Sequence, residues 1–201
     1  SCLENRQAEL QLRRVPFNHP IWVLYSSGTT GIPKAITQSC GGILLEHLKY
    51  LHLHNNVKSG DRCFWYTTIG WMMWNYIQAS LLAGGTVVLY DGSLAFPDLN
   101  ILWQFAEEVK INHFGISAGF ITACMKEGVR PGATYDLSNL ESIGSTGSPL
   151  PPEGFDWIYQ EIKKDLWLTS ISGGSDVCSA FVGGIPFWPV YAGEIQGRAL
   201  G

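Results

Sequence analysis

The sequence predicts an α/β fold: a largely parallel sheet with flanking helices. Three observations carry this. Apolar runs of strand length alternate with segments of helical periodicity over most of the 201 residues. Hydrophobic residues make up 46% and charged residues only 15%, a composition that offsets chain entropy by burial and excludes a disordered chain. Loops rich in Gly, Ser and Thr follow several of the apolar runs, where open parallel sheets place their ligands.

The elements follow in order. Ile21-Trp22-Val23-Leu24-Tyr25 reads as an apolar strand running into the loop Ser26 to Lys34. Leu44, Leu48 and Leu51 share one face of a helix from about Ile43 to Leu53. Cys63 to Tyr66 is a short strand. Trp71, Trp74, Ile77, Leu81 and Leu82 recur at helical spacing, Gly84-Gly85 breaks that helix, and Thr86 to Tyr90 reads as a buried strand. A helix from Asp98 to Lys110 has Asp98 as its cap and an apolar face of Ile101, Leu102, Phe105 and Val109. His113 to Ile116 is a strand, and Ser117 to Glu127 a helix stopped at Gly128. Leu140 to Ser145 is a strand. Pro151 to Lys164 is a helix with Pro at its start and Lys163-Lys164 at its negative end. Leu166 to Ile171 is the last strand. Such alternation gives crossovers between parallel strands.

Several functions are excluded or disfavoured. Thirteen Lys and Arg against 17 Asp and Glu leave a net charge of −4, without the basic field that binding nucleic acid requires. Cys63 to Tyr90 carries no charged residue, but Asn75, Gln78 and the Gly84-Gly85 break make a helix, turn and strand a better reading than a membrane span. Cys2, Cys40, Cys63, Cys124 and Cys178 are scattered without a Cys-x-x-Cys pair, which argues against a zinc ribbon or a thioredoxin-type redox site. Free thiols fit a reducing compartment, and the expected location is the cytosol. His52 and His54 sit at a helix end two residues apart, do not share a helical face, and read as histidines at the surface or at the negative end of the helix dipole.

Three loops stand out as sites for chemistry: Ser26 to Lys34, Gly144 to Ser148, and Ser172 to Asp176. In the first, glycines allow backbone N–H groups to approach an anion, four hydroxyls add neutral donors, and Lys34 adds a point charge. It is not a Walker A loop, because Ile32 and Pro33 separate Gly31 from Lys34 and Ala35 follows. Composition alone leaves a phosphate cradle and a plain hairpin turn equally open.

The motif Ser26-Ser27-Gly28-Thr29-Thr30-Gly31-Ile32-Pro33-Lys34 resembles the phosphate-loop signature of the adenylate-forming superfamily, which includes acyl-CoA synthetases, luciferases and peptide-synthetase adenylation domains. Gly147-Ser148-Pro149 resembles the segment lining the adenine pocket, Ser175-Asp176 falls at the family's Thr-Glu pair, and Gly193-Glu194-Ile195 resembles a later Gly-Glu-(Leu/Ile) motif. The resemblance runs from about Trp22 to the C-terminus. Phe64 to Asn75 and Ser170 to Cys178 look most like the branch whose acid is acetoacetate.

The resemblance implies part of a large adenylation domain and two half-reactions. An acid, here acetoacetate, would be activated by ATP with Mg²⁺ to an acyl-adenylate, and CoA would then take the acyl group. It implies Lys34 and Ser175 as catalytic residues and Asp176 as the metal-facing carboxylate. Ser26, Ser27, Gly28, Thr29, Thr30, Gly31, Gly147, Ser148, Pro149 and Ser172 would hold the nucleotide. Met72, Met73, Thr146 and Gly173 would line the acid pocket.

Three departures matter. Asp176 is one methylene shorter than the usual Glu, Ser172 stands where many members stack an aromatic ring on adenine, and Gly173 stands where acetate-specific relatives carry a pocket-shortening Trp. Gly173 is therefore expected to leave room for a longer acid. The resemblance further implies an N-terminal remnant over 1–20 and the central part of the AMP-binding domain over 21–201. The ribose-binding Asp, the hinge and the small C-terminal domain with the adenylation Lys are expected outside the chain, which by itself is expected to be inactive. Two alternatives are a nucleotide-binding relative without catalysis and a synthetase core for another short acid.

Overall fold

A computed structural model describes residues 11–26 and 31–201. Five strands form one parallel sheet in the order β4-β3-β5-β6-β7: β3 (Arg62–Trp65), β4 (Thr86–Val88), β5 (His113–Ser117), β6 (Ser142–Thr146) and β7 (Trp167–Ser170). Every pairing in it is parallel. The connections are helical: α2 (Met72–Gln78), α3 (Ile101–Glu108), α4 (Ala118–Lys126) and α6 (Pro152–Glu161), with a short α5 (Pro131–Thr134) between α4 and β6. The chain moves from β3 out to β4, returns to the other side of β3 for β5, and then continues outward. The order therefore reverses at β3, and a crevice opens beyond the carboxyl ends of the strands there.

The period of two decides which side chains meet which helices. On one face Phe64, Phe114, Ile116, Ile143 and Leu168 join Leu102 and Trp103 of α3, Ile121 and Cys124 of α4, and Phe155 and Ile158 of α6 in one buried core. On the other, Cys63 and Trp65 pack with Tyr50, Leu51, Tyr76 and Ile77. Trp65 reaches flat across two strands because Gly115 and Gly144 stand beneath it. A Cβ would lie 2.0 Å from the indole at Gly115 and 2.8 Å at Gly144. His113 ties β5 to β6 and to the turn before β3, donating from Nε2 to Asp61 Oδ2 at 2.8 Å and sharing a 2.7 Å hydrogen bond between Nδ1 and Ser142 Oγ.

The expected strands and helices of this sheet are all present, with shifted ends. The helix expected from Asp98 begins at Ile101 with Asn100 at its cap, and Asp98 Oδ1 instead accepts from the Asn100 N–H at 2.7 Å in the turn before it. The helix that opens at α1 (Cys40–Lys49) widens into a π-helical turn over Tyr50–His54. That widening buries Tyr50, Leu51 and His54 together.

His54 corrects the expectation of a surface histidine. Its Nδ1 bonds Gly184 O at 2.8 Å and its Nε2 accepts from the Leu200 N–H at 3.1 Å, so both nitrogens of the buried ring have partners. His52 is exposed, as expected.

Two smaller sheets depart from the simple alternation. β1 (Pro20–Ser26) and β2 (Lys34–Ser39) form an antiparallel hairpin that belongs to no larger sheet. β8 (Ser172–Gly174), β9 (Ser179–Gly183) and β10 (Gly197–Arg198) form a three-stranded antiparallel sheet. The first phosphate-type loop therefore joins two antiparallel strands; it does not sit at the end of a strand of the parallel sheet. Among the described residues no helix is long and apolar enough to cross a membrane.

Candidate active site

The carboxyl ends of β3, β6 and β7 deliver three segments to one edge. Beyond β3 the chain turns into α2, which starts with Met72 and Met73. Beyond β6 comes Gly147, in the left-handed region at φ 92°, which a side chain would strain. Beyond β7 the chain enters β8 at Ser172. Thr146 Oγ1 donates to Ile171 O at 2.9 Å and ties the second segment to the third.

These segments enclose two adjoining clefts. One, of about 250 Å³, is lined by Met72, Met73, Thr146 and Gly173, the four residues expected to hold the acid, together with Trp71, Tyr76, Ile171 and Ser175. The other, of about 390 Å³, is lined by Gly147, Ser148, Pro149 and Ser172, four of those expected at the nucleotide, with Ser170, Gly193 and Ile195. Thr146, Gly147, Ile171 and Gly173 border both. A ligand spanning the two would thus have its linking group beside these four residues.

Tyr50, Tyr76, Ser179 and Ala180 of the first cleft were not singled out by sequence. Tyr76 had a usable signal, because on one helix Met72, Met73 and Tyr76 share a face. Tyr50 and Ala180 come from distant elements and had none.

The hairpin loop is reached differently. Ser26 and Lys34 are cross-strand partners at the loop end of the hairpin, and Gly31 and Lys34 are exposed. Ser27, Gly28, Thr29 and Thr30 lie outside the described residues. The hairpin is fastened to the Ser175–Asp176 turn by Gln38. Its Nε2 donates to Ser175 O at 2.6 Å and to Asp176 O at 3.3 Å, while its Oε1 accepts from Trp22 Nε1 at 2.6 Å. Lys34 stands four residues along β2 from Gln38, roughly 13 Å at a strand's rise. Two of the three loops thus meet directly, and the third is tethered to them.

The turn Ser175 to Cys178 is fixed from below as well. The Cys178 N–H donates to Ser175 O at 3.3 Å, and Cys178 takes a left-handed φ of 49°, a strained conformation for a residue with a side chain. Its carbonyl accepts from His47 Nε2 at 2.8 Å. Burial pushes the Cys178 thiol up to about 12, so it stays protonated and unreactive. Asp176 is exposed beside Ser175. No cluster of three metal-ligating side chains occurs among the described residues. An exposed carboxylate next to a hydroxyl suits a hard cation that arrives with phosphate oxygens, and does not suit a closed protein cage.

His47 is buried between Trp22 and Tyr76, with ring centroids 6.1 and 5.5 Å away. Desolvation lowers its pKa from 6.5, against the opposing pull of the Cys178 carbonyl and Glu46. The unfolded chain therefore binds the proton more readily than the folded one. This contribution to stability is complete above about pH 6.5 and is lost as pH falls toward the folded value. Denaturant midpoints measured from about pH 8 to pH 5 should fall in the acid arm, and His47→Gln should flatten that arm.

The AMP-binding enzyme family matches residues 3–181, and the chain belongs to that family. It is 51% identical over 192 residues to acetoacetyl-coenzyme A synthetase of Rhizobium meliloti, covering 96% of this chain and 30% of that protein. It is 44% identical over 197 residues to acetoacetyl-CoA synthetase of Danio rerio, covering 98% and 29%. The structure of acetoacetyl-CoA synthetase from Streptomyces lividans superposes with a TM-score of 0.94 at 53% identity, covering 99% of this chain and 31% of that one. The chain thus spans about three tenths of the length of these relatives.

Proposed function

We propose that this chain is the nucleotide- and acid-binding core of an acetoacetate–CoA ligase, the central part of an AMP-binding domain over residues 21–201. The observation that carries the reading is the pair of adjoining clefts. One is lined by the residues expected at the acid and the other by residues expected at the nucleotide, and they join at Thr146, Gly147, Ile171 and Gly173. Such a pair suits joining a carboxylate to a nucleotide's α-phosphate.

In the first half-reaction an acetoacetate carboxylate oxygen bonds to the α-phosphorus of ATP and the bond to pyrophosphate breaks, giving acyl-AMP and pyrophosphate. In the second, the CoA thiol sulfur bonds to the acyl carbon, AMP leaves, and the thiol proton is released. Lys34 and the hydroxyl loop stabilise the charge that develops on the departing pyrophosphate. Ser175 donates to the α-phosphate. Asp176 would hold Mg²⁺, which would supply charge neutralisation at the phosphates. Ser148, Pro149 and Ser172 border the adenine, and Met72 and Met73 the acid's methyl end.

The free Cys40, Cys63, Cys124 and Cys178 support a reducing compartment, the cytosol. The test is pyrophosphate release by the full-length protein with ATP, Mg²⁺ and CoA, comparing acetoacetate, acetate and butyrate. Acetoacetate is expected to give the highest kcat/KM. Equal values for the three acids would overturn the assignment of substrate, and no release with any of them the assignment of reaction. This chain alone is expected to release none.

A further inference from the structure

The mechanism above needs the phosphate loop and the Ser175–Asp176 turn held at a fixed separation, yet they sit on different sheets. β1 and β2 pair only with each other. The turn follows β8 of the three-stranded antiparallel sheet. One buried amide bridges them. Gln38, on β2, is 9% exposed. Its Nε2 donates to Ser175 O at 2.6 Å and to Asp176 O at 3.3 Å, across 137 and 138 positions of sequence. The Trp22 indole N–H, on β1, donates to Gln38 Oε1 at 2.6 Å. An indole N–H can only donate, so it engages the oxygen of the amide and turns the nitrogen toward the two carbonyls. The orientation of the amide is thus set by β1, its position by β2, and its targets are consecutive carbonyls of the turn.

We propose that Gln38 is a positioning residue for adenylation: it fixes the Ser175 and Asp176 backbone against the hairpin that carries Lys34, so that the metal-facing carboxylate and the phosphate loop grip one nucleotide together. The proposal rests on the functional reading above. Gln38 touches no reacting atom itself. Its effect is to set where Asp176 stands relative to phosphates bound by the loop. Loss of the bridge leaves each half of the grip intact and misplaces one against the other. The defect therefore concentrates where both halves act, in binding of nucleotide together with Mg²⁺.

The experiment measures ATP binding to the full-length protein by calorimetry, with and without Mg²⁺, alongside steady-state kinetics. Gln38→Leu removes donor and acceptor at similar size, and Gln38→Glu keeps the acceptor while setting a carboxylate against two carbonyls. Both should raise the Kd for ATP with Mg²⁺ about tenfold, the scale of one lost buried hydrogen bond. The Kd without Mg²⁺ should change less than twofold, and so should the KM for acetoacetate. Gln38→His, whose ring accepts with one nitrogen and donates with the other, should restore binding to within twofold. Should Gln38→Leu fail to fold, Trp22→Phe removes the orienting N–H while keeping an aromatic ring, and should give the same pattern in weaker form. Equal weakening with and without Mg²⁺, no weakening at all, or no rescue by histidine would overturn the proposal. Lys34→Ala and Asp176→Asn are measured beside these variants. If both of them leave ATP binding unchanged, the nucleotide-site reading has failed; if they weaken it and the Gln38 variants do not, only the positioning role has.

Discussion

In the full-length protein, Lys34→Ala should lower acetoacetate-dependent pyrophosphate release by roughly 10²–10³-fold with little change in stability. The magnitude is that of removing one preorganised electrostatic donor from a developing anion. The pairing with Ser26 fixes the Lys34 backbone at the mouth of the loop, while the side chain is exposed and contributes nothing to either core. On the proposed reaction, charge on the pyrophosphate grows as the bond to the α-phosphorus breaks, so the ammonium would act more strongly on the transition state than on bound ATP. The effect should therefore fall mainly on kcat, with a smaller rise in the KM for ATP. Lys34→Arg keeps the charge but spreads it over a planar fork, and should recover only part of the rate. The check is single-turnover formation of acyl-AMP together with a melting curve. A loss below threefold at unchanged melting temperature would remove Lys34 from the chemistry.

Much of this was legible in the residues, for physical reasons that differ by element. The parallel sheet was readable because its inner strands are buried on both faces, so Cys63 to Trp65, His113 to Ile116 and Ile143 stand out as short apolar runs between turn residues. The family motifs at Gly147 to Pro149 and Ser172 to Ser175 pointed to residues that line two clefts that meet. β2, with sequence KAITQS, was not readable as a strand, because it is mostly exposed and carries no apolar alternation. β8, with sequence SGG, has no side-chain pattern at all. Gln38 was invisible for a related reason: a glutamine in a polar strand looks like surface, and its burial depends on a turn 137 residues away. His54 was misread because two residues' separation places side chains on different faces of an α-helix. The π-helical turn and the carbonyl of Gly184 bury it instead.

Gly173→Trp should unfold or severely destabilise the protein, and it should not trade acetoacetate for acetate. From sequence, position 173 is expected to be open space in the acid pocket that a larger side chain would fill. The backbone of Gly173 does border that cleft, but the direction a side chain would take is different. A Cβ there would lie 2.0 Å from Ser179 O and 2.6 Å from Ala180 Cα. Those atoms are main chain of β9, paired with β8 through Gly173↔Ala180 and Gly174↔Ser179. A side chain of any size therefore pushes β8 from β9 before it reaches the cleft, and it disturbs the strand that leads directly into Ser175 and Asp176. The alanine variant separates the two accounts. If position 173 governs only pocket depth, Gly173→Ala is close to neutral and Gly173→Trp switches the acid. If the β9 backbone governs it, Gly173→Ala already costs about 1–3 kcal/mol of stability by overpacking, and Gly173→Trp costs more. Urea denaturation of both variants, with kcat/KM for acetoacetate and acetate on whatever remains folded, decides between them. A stable Gly173→Trp protein that prefers acetate would show that β9 yields and that the pocket account is right. The geometry favours loss of the fold, because the group in the way is a paired strand with no rotamer to change.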